Sequence, residues 1–317
     1  MKAALVLKTG QAPVYSDFSD PDPSKEENHI AVTAASLSHV TRSRASGTHY
    51  STSSHVPFVV GIDGVGRLAD GRRVYFILPT APFGSMAEQS RVKASQCLAL
   101  PDDLDDVTAA AIAIPGMSSW AALQESAKFQ AGETVLVNGA TGTSGRLAVQ
   151  IARYLGAKKV IATGRNTEVL KSLGPLGADM TIPLVEDGEA LEKAFLEPFH
   201  EGVDVVLDYL WGSSMERLLV AAAKAGKDGV PIRFIQIGAA SAYSISLPNP
   251  ILRSSAIQLM GSGIGSVPFN RLLKAIKGVL QATVPGAFDI ATTPVPLSKV
   301  EEAWSTEIRQ SRIVFLV

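Results

Sequence analysis

The clearest chemistry in the sequence sits in V-L-V-N-G-A-T-G-T-S-G-R-L, residues 135–147, where Ala140, Gly142 and Gly145 form an A-x-G-x-x-G pattern. The first position allows a tight turn, Gly142 lets backbone amides approach a pyrophosphate, and Gly145 lets a helix pack closely on a strand. The start of that helix adds the positive end of its dipole. A glycine-rich turn that holds nothing is the competing reading. The complete strand–loop–helix–strand context favours a dinucleotide.

The next apolar run bears on which dinucleotide. An NAD site usually places Asp or Glu about 20 residues past the glycine loop, where it accepts from the ribose hydroxyls. This chain has A-T-G-R-N at 162–166 instead. Gly164 leaves room, Arg165 brings a guanidinium and Asn166 a further donor, a set suited to a 2′-phosphate. NADPH is therefore favoured over NADH, the alternative being that Arg165 is a solvated surface residue. Tyr154 and Lys158 have the Tyr-x-x-x-Lys spacing of another dehydrogenase architecture. They fall at the far end of the phosphate helix and are read as a chance match.

The elements that must position these residues are legible in outline. In the first hundred residues short apolar runs (AALVL, HIAVTAAS, FVVG, RVYFIL, CLALP) alternate with turn-formers such as SDPDPS and ADGRR, which predicts a compact, irregular β domain. Helical patterning begins near Asp105 and continues through SSWAALQESAKF to Gly132. The apolar segment from residue 107 is interrupted by Pro115, Gly116 and two serines, short of the roughly 20 residues that span a bilayer. From Thr134 strands and helices alternate, with candidate strands at 135–137, 160–162, 180–182, 203–207, 232–237 and 257–260. Such alternation predicts a parallel sheet of six strands, doubly wound with helices. Leu147, Ile151 and Leu155 recur four apart, with Ala148 and Ala152 beside them. The helix F-N-R-L-L-K-A-I-K-G-V-L-Q and the final R-I-V-F-L-V are expected to return to the first domain. This gives a β-rich domain of 1–118 and 266–317 and a nucleotide domain of 119–265.

Of 317 residues, 46% are apolar and 19% charged, so two sizeable cores are expected and global disorder is not. A formal net charge of −1 offers nothing to nucleic acid or an anionic membrane. The single cysteine, Cys97, excludes an internal disulfide framework and any zinc site built on several thiolates. A cytoplasmic protein is the expectation.

Several ordered segments resemble the medium-chain dehydrogenase/reductase superfamily, in its zinc-independent quinone oxidoreductase branch. They are FVVGIDGVGRLADGRRVYF, FGSMAEQSRVKASQCLALPDDLDDVTAAAI, PGMSSWAAL, GADMTI, GVDVVLDYLWG and IQIG. The resemblance covers nearly the whole chain. It implies a GroES-like catalytic domain, a Rossmann domain, an active-site cleft between them and a homodimer. By position it assigns Thr143, Ser144 and Gly145 to the pyrophosphate, and Gly164, Arg165 and Asn166 to the 2′-phosphate. Ile237, Gly238 and Ala239 approach the nicotinamide, with Ser118 where the family often has Thr. The chain departs from the family at Ser38 and Thr41, where Asn and Asp are frequent, and at Ser311–Arg312, where Gly-Lys is usual.

In the zinc-dependent branch a Cys, a His–Glu pair and a later Cys surround the metal. The matching positions here are Ser38, Ile62–Asp63 and the neighbourhood of Pro115, and the spacing of His39, His49 and His55 follows no metal site. No metal is expected. Zinc makes alcohol oxidation possible by stabilising an alkoxide. Without it, the expected partner is a small electrophilic acceptor, a quinone or a conjugated carbonyl, onto whose oxygen the charge of hydride attack can spread. Candidate donors to that oxygen are Tyr50 and then His49, in R-A-S-G-T-H-Y-S-T-S-S. A loop tyrosine covering apolar surface is the competing reading. Tyr209 and Arg312 are weaker candidates, and a hydroquinone anion can also take its proton from solvent. The rival functions are an enone, alkenal or enoyl reductase of the same superfamily and a non-catalytic NADPH-binding sensor.

Overall fold

The computed structural model describes residues 1–22, 26–47, 56–185, 187–306 and 311–317. The chain divides into two compact units, one of 1–113, 283–285 and 290–317 and one of 114–282 and 286–289.

The first unit opens with β1 (Lys2–Val6), β2 (Val14–Asp17), β3 (Glu27–Ser36), α1 (His39–Ser46) and β4 (Phe58–Val59). It continues with β5 (Asp63–Arg67), β6 (Arg73–Ile77), β7 (Gln89–Lys93) and β8 (Cys97–Ala99). Helix α2 (Asp106–Ala121) follows and ends in one π-helical turn over Ala122–Ser126. As the helical patterning from Asp105 onward predicts, α2 continues past Pro115, which lies inside the helix. A Cβ on the next residue, Gly116, would meet Val279 Cγ1 at 2.7 Å, so this glycine is a point of close helix packing.

The second unit carries β9 (Thr134–Asn138), α3 (Thr143–Tyr154), β10 (Lys159–Gly164), α4 (Thr167–Lys171) and β11 (Met180–Pro183). Then come α5 (Gly188–Glu201), β12 (Val205–Asp208), α6 (Ser213–Ala225), β13 (Ile232–Gln236), α7 (Asn249–Arg253), β14 (Ile257–Gly261) and α8 (Phe269–Ala282). The chain closes with β15 (Thr292–Pro296), α9 (Val300–Trp304) and β16 (Arg312–Leu316) in the first unit.

The six expected strands all form, and they make one sheet in the order β11-β10-β9-β12-β13-β14 with every pairing parallel. Every residue of β9 and of β12 is buried, as in a parallel sheet covered on both faces. On one face Leu191, Phe195 and Phe199 of α5 and Met215, Leu218 and Leu219 of α6 pack on Leu136, Ile161, Val206 and Phe234. Each such side chain contributes roughly 1.5–3 kcal/mol when fully buried. The strand order reverses between β9 and β12, so the carboxyl ends there flank a topological switch point, where ligands of open α/β sheets bind.

Helix α8, expected with the β-rich domain, clusters with the second unit instead. Its apolar stripe buries Leu272 and Ala275 against Ala121, with Met117 and Trp120 beside them. A Cβ at Gly278 would lie 2.7 Å from the Trp120 ring, so a second glycine brings α8 against α2. An amphipathic period reveals a buried face but not its partner.

The first unit is built on a seven-stranded sheet, order β15-β16-β3-β5-β6-β8 with β7 also on β3, and a small sheet β2-β1-β4. Pairing is antiparallel except between β15 and β16. Arg73 ties β6 to the start of α2, donating to Asp106 Oδ1 and to Leu104 O at 2.5 Å each. Among the described residues no helix is long and apolar enough to cross a membrane.

Candidate active site

At the carboxyl end of β9 the chain turns through Gly139, whose φ of 92° lies in the left-handed region that favours glycine. Gly142 is the N-cap of α3 and offers no side-chain bond to the first amides of the helix. The N–H groups of Thr143, Ser144 and Gly145 begin this 12-residue helix without a capping side chain. A Cβ on Gly145 would strike Gly139 O and lie 2.6 Å from Ala140 Cα, so only glycine lets helix and loop come this close. A Cβ on Gly142 would meet nothing nearer than Gly139 O at 4.0 Å. The loop is thus closed beneath Gly145 and open above Gly142. That is the shape a diphosphate needs, with donors and a positive dipole end aimed at it.

The second strand leads to the other expected phosphate contacts. Gly164 is buried, and a Cβ there would lie 2.9 Å from Thr141 Oγ1, so this glycine admits the loop's threonine as well as any ligand. Arg165 is exposed, with no ion pair to a described residue. Asn166 caps α4, its Oδ1 accepting from the N–H groups of Glu168 and Val169 at 3.1 Å each, which leaves its Nδ2 as the available donor.

A buried polar network joins the strand ends, and the sequence reading missed it. Thr163 Oγ1 donates to Asn138 Oδ1 at 2.7 Å and accepts from Gly139 N–H at 3.3 Å. Asn138 Nδ2 donates to Asp208 Oδ1 at 2.7 Å and to Ser214 Oγ at 3.0 Å. Asp208 also accepts from the N–H groups of Leu210 and Trp211, at 3.1 Å and 3.0 Å, holding a turn in which Trp211 has a φ of 61°. Burial pushes the Asp208 carboxyl up to about 6, against the pull of these donors. The available signal was a polar residue directly after each apolar run: Asn138 after Val135–Val137, Thr163 after Val160–Ala162 and Asp208 after Val205–Leu207.

This turn also meets the residues expected near a nicotinamide. Ile237 and Gly238 donate their N–H groups to Asp208 O at 2.8 Å and 3.1 Å. A Cβ on Gly238 would lie 2.7 Å from Tyr209 O, so glycine permits the close approach, and Ala239 follows exposed. Ser118 donates to Pro115 O at 2.6 Å and lies 3.1 Å from the Tyr209 hydroxyl. With its own proton so engaged, Ser118 accepts from Tyr209. Loss of solvent pushes the Tyr209 phenol up to about 12, although its bonds to Ser118 and Ser119 act the other way. That proton is held, so Tyr209 braces Ser118. Tyr154 lies at the opposite end of α3, packed against Trp120 and Phe288.

Residues 145–279 match the protein family described as zinc-binding dehydrogenase. Over the full length of both chains the protein is 30% identical to a probable NADPH-dependent quinone reductase of Emericella nidulans. The chain belongs to the medium-chain dehydrogenase/reductase superfamily. Within it the protein is a quinone oxidoreductase-like enzyme. It is 27% identical to an NADPH-dependent alkenal/one oxidoreductase of Arabidopsis thaliana, covering 86% of this chain and 77% of the relative. The structure of the Thermus thermophilus quinone oxidoreductase, solved alone and with NADPH, matches all of both chains at a TM-score of 0.80 and 26% identity.

The family description mentions zinc, and the residues of this reductase can be tested against it. Ser38 is the N-cap of α1, its Oγ accepting from Thr41 N–H at 3.0 Å and lying 2.9 Å from Thr41 Oγ1. The two departures from the family pattern thus complete one helix cap. Asp63 is fully buried, and burial pushes its carboxyl up to about 7, opposed by the Arg312 charge and by Tyr75, whose hydroxyl donates to Oδ2 at 3.0 Å. A capped hydroxyl and a carboxyl held toward its neutral form beside a guanidinium make a poor donor set for a dication. No three His, Cys, Asp or Glu side chains among the described residues could jointly hold a metal ion. Tyr50 and His49, the expected hydrogen-bond donors, lie outside the described residues, as does His55.

Proposed function

We propose that this enzyme passes a hydride from NADPH to a quinone or a similarly conjugated carbonyl, without zinc. The observation that carries the reading is the open space above Gly142 at the uncapped start of α3, followed one strand later by the exposed Arg165. The amides of Thr143, Ser144 and Gly145 would hold the diphosphate beside Ala140 and Gly142. Arg165 and Asn166 Nδ2, next to Gly164, would hold the 2′-phosphate, whose charge a guanidinium suits. Ser118, Ile237, Gly238 and Ala239 would border the nicotinamide. When bound, NADPH supplies the hydride.

The chain's share of the work is to hold the two reactants in register, exclude water and donate a hydrogen bond to the acceptor oxygen as charge develops there. Tyr50 and His49 are the proposed donors. The capped Ser38 hydroxyl and the Asp63 carboxyl near Arg312 support a reaction without a metal. A quinone or enone needs none, because the charge of hydride attack spreads onto oxygen. The quinone reductase and the alkenal/one oxidoreductase among the relatives support this acceptor class. A homodimeric, cytoplasmic enzyme with the GroES-like domain at 1–118 and 266–317 and the Rossmann domain at 119–265 is part of the same proposal. It is modified by the place of α8 in the second unit.

The test is a panel of naphthoquinones, short alkenals and enoyl thioesters assayed with NADPH and with NADH, in chelator. Expected are turnover of quinones or enones that survives metal removal and a preference for NADPH. Cofactor binding without oxidation by any acceptor would replace the reading with a nucleotide sensor. Loss of activity on chelation, restored by zinc, would overturn the metal-free step.

A further inference from the structure

The first unit contains a pocket of about 280 Å³ that none of the expected cofactor residues lines, although Thr41 and Ile62, two of the positions compared with the family pattern, do. That volume falls near the lower end of the range for small-molecule sites, about 300 Å³. Its walls are mostly apolar, with the rings of Phe58, Pro79, Pro82 and Phe83 beside Ile62. Thr41 also lines it, but its hydroxyl is engaged with Ser38. The remaining lining side chain that can carry charge is Arg44, from the last turn of α1.

Arg44 differs from the arginines around it. Arg42 stacks on Trp304 at 6.0 Å and donates to Thr306 O at 3.2 Å. Arg91 pairs with Glu27 at 2.6 Å and stacks on Phe83 at 5.4 Å. Arg44 is half-buried, and among the described residues its guanidinium has no ion pair, hydrogen bond or ring partner. No carboxylate lines the pocket among the described residues. Burial lowers the Arg44 pKa from its ordinary value, a sign that its charge is poorly compensated. A half-buried cation at an apolar wall is relieved by an anion that brings its own apolar body.

We propose that this pocket binds a compact, flat, apolar molecule carrying one acidic group, an aromatic carboxylate or an ionised ring hydroxyl, with Arg44 taking the acid. The ring walls set the flat shape, the volume limits the body to about two fused rings, and the single guanidinium sets the one negative charge. Two sources share this chemistry: an acidic acceptor of the enzyme and a separate regulatory ligand. The site stands independently of which acceptors the enzyme reduces.

The probes are 2-naphthoate and its neutral counterpart 2-naphthamide, titrated calorimetrically into the full chain and into Arg44→Met and Arg44→Lys. Naphthoate is expected to bind more tightly than the amide and to weaken as salt is added. Arg44→Met is expected to lose roughly tenfold to a hundredfold in naphthoate affinity, the worth of a hydrogen bond to a charged group, with a much smaller change for the amide. Arg44→Lys keeps the charge and is expected to retain part of the discrimination, which protects the test against a misfolded methionine variant. Equal affinity for acid and amide, no binding of either, or naphthoate binding unchanged in Arg44→Met would overturn the proposal. Naphthoate competing with a reducible quinone would identify the occupant as an acidic acceptor. Binding that leaves the quinone's KM untouched would identify a separate ligand.

Discussion

Alanine at Gly142 should damage cofactor binding while sparing the fold, and alanine at Gly145 should damage the fold itself. The backbone at Gly142, φ −83° and ψ 166°, is one any residue adopts, and its new Cβ would meet nothing closer than 4.0 Å. Exchanging glycine for alanine at an N-cap costs at most about 1 kcal/mol. In a unit of this size that moves the unfolding midpoint by roughly 2–4 °C. The methyl group would, however, stand where the diphosphate is proposed to lie. Displacing one charge-assisted N–H···O bond removes about 1.5–3 kcal/mol, so NADPH affinity should fall roughly tenfold to a hundredfold. At Gly145 the new Cβ would strike Gly139 O and sit 2.6 Å from Ala140 Cα, so helix or loop must retreat by roughly 1 Å to reach ordinary contact. Both neighbours are backbone, and such overpacking costs about 1–3 kcal/mol. Nucleotide fluorescence titration and thermal unfolding of the two variants separate these effects. A Gly142→Ala protein that binds NADPH like the parent would refute the placement of the diphosphate.

Removing Arg165 as Arg165→Ala should raise the dissociation constant for NADPH roughly tenfold or more and leave NADH nearly unchanged; equal affinities in the parent protein would remove the basis for assigning that residue. Asp63 gives a pH signature. Its carboxyl is pushed from 3.8 to about 7 in the folded protein, so the native state keeps a proton that the unfolded chain has released. Its contribution to stability is therefore full in acid and is lost as pH rises toward about 7, by at most about 1.4 kcal/mol per unit. Asp63→Asn should flatten the parent's midpoint-versus-pH curve over that window, and an unchanged curve would count against the buried neutral acid. Asp208, pushed to about 6, adds a slope of the same sign that ends nearer that value. Arg73→Met should cost about 2 kcal/mol in urea unfolding, because it strands the half-buried Asp106 and frees Leu104 O; a loss within about 0.5 kcal/mol would show that solvent replaces the contact.

Much of the nucleotide unit was legible because its signals are local. The run of apolar residues ending in Asn138, the glycines at 139, 142 and 145 and the stripe of Leu147 and Ile151 lie within about four turns of one another in sequence, and each dictates its own backbone. All six parallel strands appear within two residues of where apolar runs placed them. What failed was pairing at a distance. The amphipathic period of α8 announced a buried face without naming Trp120 and Ala121 as its partners. Nor did the glycine at 116 name Val279, far along the chain, as the side chain that packs against it.

By itself the sequence determined that a strand, a glycine turn and a helix would present backbone amides to an anion, and that Arg165 would follow the next strand. Only the tertiary structure decided that Thr163, Asn138 and Asp208, separated by 25 and 70 residues, would meet in one buried network behind that turn. It also decided that Arg44 would line an apolar pocket without a partner among the described residues. Parallel strand register sets the neighbours in that network, and register is a property of the packed sheet, which no stretch of chain carries alone.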